Sequence, residues 1–324
     1  MDKVFVASQL PQSALFELDK LTSSIDYWEK EETITEQELI LKLKEKTILI
    51  CGIDVQVTKK ILEASPSLKL ITNVGDGYSN IDLKAANQHQ VLVTNAPTND
   101  SIASTAEQTV TLLLSVSRKI LQGDTVMREH RFSGWRVTGY VGGHQVYGKK
   151  VVIIGLGRVG KKVVELLSGF DVDLYYVDPK PIDPLFLKQY QLKNVTLEEG
   201  LKLADYVTLN CTLTQENHHM IQSEELDMMK ETSYLINCAR GPLINEQDLT
   251  EALKDKKIAG AALDVYEFEP KISKELASLS SVVLTPHAGN ATIEAREEMA
   301  MDAVRNVGSY LKGQPLSYLV ESKE

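Results

Sequence analysis

The sequence predicts an α/β fold made of two doubly wound parallel-sheet domains. Three observations carry this reading. Short β-branched runs alternate with helical segments up to about residue 95, the alternation resumes at Val151, and at 324 residues the chain is longer than one core ordinarily supports.

Taken in order, Lys3–Ala7 and Ile25–Trp28 read as strands, with a helix over Gln12–Leu21 between them. Thr35 and Glu38 form a capping box that opens a helix running to Lys44. Strands follow at Thr47–Cys51, Lys69–Asn73 and Val91–Thr94, separated by helices over Thr58–Ala64 and Leu83–Gln88. A long helix over Ser101–Leu121 places Ala103, Ala106, Val110, Leu113 and Leu114 on one side, and its length suits an element bridging two domains. From Gln122 to Lys149 no period is evident, and Phe132, Trp135, Tyr140 and several glycines are scattered among polar residues. A loop this long contributes to a subunit interface or a cleft rim, or is a surface excursion covering a helix.

The next stretch, VVIIGLGRVGKKVVELLSGFDVDLYYVD from Val151 to Asp178, organises the rest of the chain. Val151 to Ile154 form a strand, Gly155, Gly157 and Gly160 a GxGxxG turn, and Val159, Val163, Val164 and Leu167 recur at helical spacing. Gly155 permits the sharp turn, Gly157 lets the backbone approach a pyrophosphate, and Gly160 lets the helix pack close to the strand, its N-terminal amides toward the phosphates. A second strand ends at Asp178, whose carboxylate accepts from the adenosine ribose hydroxyls and repels a 2′-phosphate, so the expected cofactor is NAD rather than NADP. Further strands at Tyr206–Asn210, Tyr234–Asn237, Ala261–Val265 and Val282–Thr285 complete this sheet, with Thr196 and Glu199 capping one intervening helix. Thr292–Lys312 reads as one long helix, and its position does not say which domain receives it.

Composition narrows the function. The 43% hydrophobic and 25% charged residues are those of an ordinary globular chain, which sets aside disordered and low-complexity classes. A net charge of −10 argues against nucleic acid and against an anionic membrane surface as partners, so a small anionic substrate must be drawn by local cations. No apolar run approaches a membrane span and the start lacks the pattern of a signal peptide, so the expected location is cytoplasmic. Cys51, Cys211 and Cys238 are widely spaced beside apolar runs, which suits buried thiols rather than disulfides or metal ligands, and no metal is assigned. The adjacent pair His218 and His219 reads as solvated.

Three charged residues follow directly on strands of the second half: Arg240, Glu269 and His287. In an open parallel sheet, ligands bind beyond the carboxyl ends of the strands, so these side chains can converge. Arg240 offers a planar fork for a carboxylate, His287 can give and take a proton near neutral pH, and Glu269 can orient the ring and stabilise its imidazolium form. Singly, each also has a structural reading: a surface cation, one acid among many, a hydrogen-bonded core histidine.

The sequence resembles the D-isomer-specific 2-hydroxyacid dehydrogenases over nearly its whole length. The resemblance runs through NVGDGYSNID, STAEQTVTLLL, GKKVVIIGLGRVGKKV, LINCARGPLINEQDLTEAL, GAALDVYEFEP and TPHAGNATIEAREEMA, in that order. It implies a Rossmann NAD-binding domain, residues 99–288, inserted in a flavodoxin-like substrate-binding domain made of 1–98 and 289–324. It implies that Arg240 binds substrate, that Glu269 and His287 form the acid–base pair, and that the turn Val74, Gly75, Asp76 and Gly77 holds the substrate carboxylate. Cofactor contacts are expected from Gly155, Gly157, Arg158, Val159, Gly160, Asp178, Cys238, Ala239, Asp264 and Thr105, and the chain is expected to form a homodimer through its cofactor domain. Glu267 is a neighbouring rival to Glu269, but the family places its acid immediately before a proline.

The resemblance also discriminates. An acid at 269 disfavours the formate dehydrogenase branch, NAPTNDSIASTAE lacks the aromatic residue of the D-lactate dehydrogenases, and no regulatory extension like that of the larger phosphoglycerate dehydrogenases is expected after residue 324; the resemblance is to the glyoxylate/hydroxypyruvate reductase-like or phosphoglycerate dehydrogenase-like branch. Asp76, Thr105, Thr212 and Asn290 depart from the usual pattern and leave the substrate open. Asp76 either points to solvent or faces the cleft. The expected activity is hydride transfer between NADH and a small 2-oxo acid, giving a D-2-hydroxy acid. The alternative is an NAD-sensing, corepressor-like binding module on the same fold.

Overall fold

The structure, a computed structural model, describes residues 2–320. Met1 and residues 321–324, the latter within the expected substrate-binding domain, lie outside the described residues. The chain divides into two compact units, Met1–Ser101 with Ala291–Glu324, and Ile102–Asn290.

In chain order, the first unit runs β1 (Val4–Val6), α1 (Gln12–Leu21), β2 (Ile25–Tyr27), α2 (Glu36–Leu43), β3 (Ile48–Gly52), α3 (Lys59–Ala64), β4 (Leu70–Val74), α4 (Leu83–Gln88) and β5 (Leu92–Thr94). Helix α5 (Asn99–Arg118) leads into the second unit: α6 (Ile120–Arg128), β6 (Lys150–Ile154), α7 (Arg158–Leu167), β7 (Asp173–Val177), α8 (Pro184–Gln189), β8 (Lys193–Asn194), α9 (Leu197–Leu203), β9 (Tyr206–Leu209), α10 (Ser223–Met228), β10 (Tyr234–Asn237), α11 (Glu246–Lys254), β11 (Gly260–Leu263), α12 (Lys274–Ser278) and β12 (Val282–Leu284). Then α13 (Ile293–Leu311) returns to the first.

The first unit's sheet has the order β2-β1-β3-β4-β5, every pairing parallel. That is the flavodoxin-like order, with its reversal between β1 and β3. Strand alternation sends Phe5, Leu49 and Ile71 to one face, where Leu39, Leu62 and Ala85 of α2, α3 and α4 cover them. It sends Val4, Val6, Ile50 and Leu70 to the other, where Ala14 and Leu18 of α1 and Met299, Ala303 and Val307 of α13 close the core. The second unit's sheet, β12-β11-β10-β9-β6-β7-β8, is also parallel throughout and reverses between β6 and β9. Its central strands β6, β9, β10 and β11 are buried nearly throughout, as strands covered on both faces require.

Both predicted capping boxes are formed, at Thr35 with Glu38 and at Thr196 with Glu199. Two local readings need correction. The helix expected over Ser101–Leu121 ends at Arg118, because Lys119 adopts a left-handed conformation (φ +54°) and α6 begins beyond it. No glycine or proline marks this break. At the break, the Lys119 ammonium lies 5.5 Å from the Tyr234 ring centroid, and burial lowers its pKa. Strand β8 adds an edge to the second sheet that the sequence does not signal, since two exposed residues give no apolar pattern.

Candidate active site

The site is assembled in the second unit where the chain leaves β6, β10, β11 and β12. After β6, Gly155 turns at φ +92° and packs so closely that a Cβ would lie 2.6 Å from the backbone of Cys211. Gly157 is the uncapped N-cap of α7 and faces open space, while a Cβ on Gly160 would lie 2.1 Å from the Gly155 oxygen. Arg158 and Val159 open the helix, so amides and an unfilled cradle meet at its N-terminus, the arrangement a pyrophosphate needs. Asp178, at the end of β7, accepts the amides of Leu156 (2.7 Å) and Lys180 (2.8 Å), which fixes the carboxylate beside the glycine turn. These residues fit a dinucleotide.

After β10, buried Asn237 folds the chain into a tight turn: its side chain accepts the Ala239 amide (3.0 Å) and donates to the Arg240 oxygen (2.9 Å). Arg240 is thereby presented in extended conformation beyond the strand, and its Nη1 donates to the Ala239 oxygen at 2.6 Å. The neighbouring Cys238 is buried, which pushes its thiol up to about 12 and keeps it protonated. Thr105, on α5, lies beside Gly289.

After β11, Asp264 is fully buried. Its carboxylate accepts from the Thr285 hydroxyl (2.6 Å) and from the amides of Ala288 (2.8 Å) and Gly289 (2.7 Å), and its main-chain oxygen accepts the His287 amide at 2.9 Å. The sequence reading gives Asp264 only a cofactor contact, whereas the structure also makes it the anchor of the His287 loop. His287 itself stands at φ +54°, a conformation that a non-glycine residue keeps only when its surroundings enforce it.

Glu269 meets His287 here. Its Oε2 lies 2.9 Å from His287 Nδ1, and its Oε1 accepts the Tyr266 amide at 3.0 Å. Burial works to raise the Glu269 pKa, but the bond to His287, the Tyr266 amide and the charges of His287 and Arg240 together hold it below the ordinary value. Arg240, Glu269 and His287 are thus within electrostatic reach of one another. Glu267 is turned elsewhere, toward His219 at 2.7 Å. His219 is therefore not simply solvated as its sequence suggests, although His218 is exposed.

Within the first unit, the turn Val74 to Gly77 follows β4. The oxygen of Gly75 accepts the Ala96 amide (2.8 Å), that of Asp76 the Asn95 side chain (2.6 Å), and that of Gly77 the Asn73 side chain (2.7 Å). Because each planar peptide points its N–H opposite its C=O, drawing three oxygens inward turns the amides of Asp76, Gly77 and Tyr78 the other way. Buried Asn80 braces Asn73 and the main-chain oxygens of Gly52 and Val55. Nothing in the sequence pattern singles out these asparagines.

A parallel sheet carrying a glycine-rich turn, an acid ending its second strand, and a His–Glu pair beside an arginine define a nicotinamide-dependent oxidoreductase. The family model of the D-isomer specific 2-hydroxyacid dehydrogenase NAD binding domain matches residues 110–289. A curated relative from Staphylococcus aureus (strain USA300), assigned to the 2-hydroxyacid dehydrogenases, is 40% identical over 99% of this chain and 100% of its own. Among solved structures, the TT0316 protein of Thermus thermophilus is 30% identical, with a TM-score of 0.91 over 98% of this chain and 100% of its own. A glyoxylate reductase from Paecilomyes thermophila is 25% identical, with a TM-score of 0.87 over 100% of this chain and 99% of its own. The chain belongs to the D-isomer specific 2-hydroxyacid dehydrogenase family, and is an NAD-dependent enzyme of that family. Among the described residues, no helix is long and apolar enough to cross a membrane.

Proposed function

We propose that the protein reduces a small 2-oxo acid to its D-2-hydroxy acid and catalyses the reverse oxidation. The observation that carries this is the 2.9 Å contact between Glu269 and His287, with Arg240 acting on the same carboxylate. Bound NAD supplies or accepts the hydride. In reduction, protonated His287 delivers its proton to the carbonyl oxygen, and the Glu269 carboxylate stabilises the imidazolium until that moment. Arg240 grips the substrate carboxylate with its planar fork and polarises the neighbouring carbonyl. The outward amides of the Gly75 to Gly77 turn are suited to a carboxylate as well. Asp178 favours NAD over NADP by accepting from ribose hydroxyls and repelling a 2′-phosphate. The test is oxidation of NADH with a panel of 2-oxo acids, pyruvate, hydroxypyruvate, glyoxylate and oxaloacetate among them; no turnover with any would overturn the reading.

The same proposal includes a cytoplasmic homodimer. Assembly into a dimer is supported by the segment after α6, where Trp135 and Val137 are 85% and 87% exposed and Phe132 and Tyr147 also face outward. Light scattering of the native protein beside a Trp135→Glu variant tests it, a wild-type monomer being the contrary result.

A further inference from the structure

Two glutamates outside the catalytic pair are locked to each other through their main chains. Glu246, the first residue of α11, is only 6% exposed, and its Oε2 accepts the Glu267 amide (3.2 Å) while its Oε1 accepts the Ser273 amide (3.1 Å). Glu267 reciprocates: its Oε2 accepts the Glu246 amide at 2.9 Å, and its Oε1 lies 2.7 Å from His219 Nε2. Gly241 seals the arrangement, since a Cβ there would fall 1.9 Å from the Tyr266 oxygen. The cavity lined in part by Asn237, Gly241, Glu246, Tyr266 and Glu267 is about 10 Å³, too small to admit a substrate. This second His–Glu pair is therefore not a second reaction centre.

An acid at the first position of a helix is ordinarily explained by the helix dipole, and such an acid sits in solvent. Glu246 is instead turned inward, and the two amides it holds lie on either side of Glu269 in the sequence. Between them the chain runs as loop with a single bridge, Phe268 to Lys271, so regular structure contributes little to the place of Glu269. Two carboxylates this near one another, Glu246 buried and Glu267 partly so, are tolerated only when each is well hydrogen-bonded, which three amides and the His219 ring provide.

We propose that Glu246 and Glu267, buttressed by His219, are positioning residues that set the Glu269 carboxylate against His287 and tie it to the turn bearing Arg240. This rests on the reading of Glu269 and His287 as the acid–base pair. An error of about 1 Å in such a contact can cost on the order of a hundredfold in rate, so the clamp has catalytic consequences without touching substrate.

The experiment compares Glu246→Gln, Glu267→Gln, His219→Ala and His219→Gln with Glu269→Gln as reference. It measures turnover in oxo-acid reduction across pH, NADH affinity by fluorescence titration, and melting temperature. In Glu246→Gln and Glu267→Gln, turnover should fall about ten- to a hundredfold while NADH affinity and the Michaelis constant of the oxo acid stay near wild type. The alkaline fall of the rate should move to lower pH, in the same direction as for Glu269→Gln. His219→Ala should show a smaller version, and His219→Gln, which can still donate to Glu267, should recover it. Wild-type turnover and an unmoved alkaline limb in folded Glu246→Gln or Glu267→Gln protein would overturn the proposal. Should both fail to fold, the two His219 variants decide it, equal behaviour of the pair counting against. If Glu269→Gln itself leaves rate and limb unchanged, the acid–base reading fails rather than the clamp.

Discussion

Asp264 holds His287 from two sides: its main-chain oxygen accepts the histidine amide at 2.9 Å, and its carboxylate accepts the next two amides at 2.8 and 2.7 Å. A left-handed histidine stores about 1–3 kcal/mol of backbone strain, and these bonds oppose its release. Asp264→Ala should therefore reduce turnover on the order of a hundredfold, although the imidazole remains in the chain. It should also lower the melting temperature. Steady-state kinetics and thermal unfolding check this, and unchanged turnover would refute the anchoring role.

Glu269 carries the pH prediction. Its pKa lies below the ordinary 4.5 despite the opposing effect of burial, so the carboxylate's contribution is fully present above 4.5 and is lost only as pH falls through the lower folded value. An acid limb of the reaction due to Glu269 should accordingly fall below pH 4.5. With Glu269→Gln the imidazolium loses its anionic partner, and the alkaline limb of oxo-acid reduction should move to lower pH. Rate profiles of both proteins read the two limbs separately.

Arg240→Ala removes the proposed charge-assisted bond to the substrate, about 1.5–3 kcal/mol, and should lower kcat/KM for the oxo acid by one to two orders of magnitude. NADH binding should survive. Arg240→Lys should recover little, because an ammonium lacks the planar fork. NADH affinity lost while the oxo-acid Michaelis constant held would contradict the assignment.

Asp178→Ala should raise the Michaelis constant for NADH and narrow the preference against NADPH. It also leaves the amides of Leu156 and Lys180 without their carboxylate acceptor, so the glycine turn itself should loosen. The ratio of specificity constants for the two cofactors is the measurement, and a constant ratio counts against the role.

Asp76 sits in the turn proposed to take the substrate carboxylate, where a second anion on the substrate meets repulsion if the side chain faces it. Oxaloacetate should then be a poor substrate, and Asp76→Ala should improve it more than pyruvate or hydroxypyruvate. A ratio of specificity constants that does not move would place Asp76 outside the substrate's reach.

The sequence exposes what obeys local periodicity. Val151 to Asp178 announces its strand, turn and helix because each has its own repeat, and the capping boxes at Thr35 and Thr196 are legible because three-residue spacing suffices to define them. Arg240, Glu269 and His287 are legible as strand-end charges. Lys119 is not, since neither a glycine nor a proline marks its left-handed turn. Glu246 is hidden for another reason: an acid at a helix start looks ordinary, and only its inward orientation sets it apart. The same holds for Asn73, Asn80 and Asn95, polar residues whose importance lies in which oxygens they draw inward.

Helix α13 closes one face of the first unit's sheet over Val4, Val6, Ile50 and Leu70, yet it follows the whole second unit in the chain. During synthesis, that face emerges early and, beyond what α1 covers, stays open until α13 leaves the ribosome. For that interval the nascent chain carries a greasy parallel sheet that invites chaperones or neighbouring chains, while the second unit, contiguous in sequence, can fold as soon as it is made. The insertion thus imposes a timetable: the unit begun first is finished last.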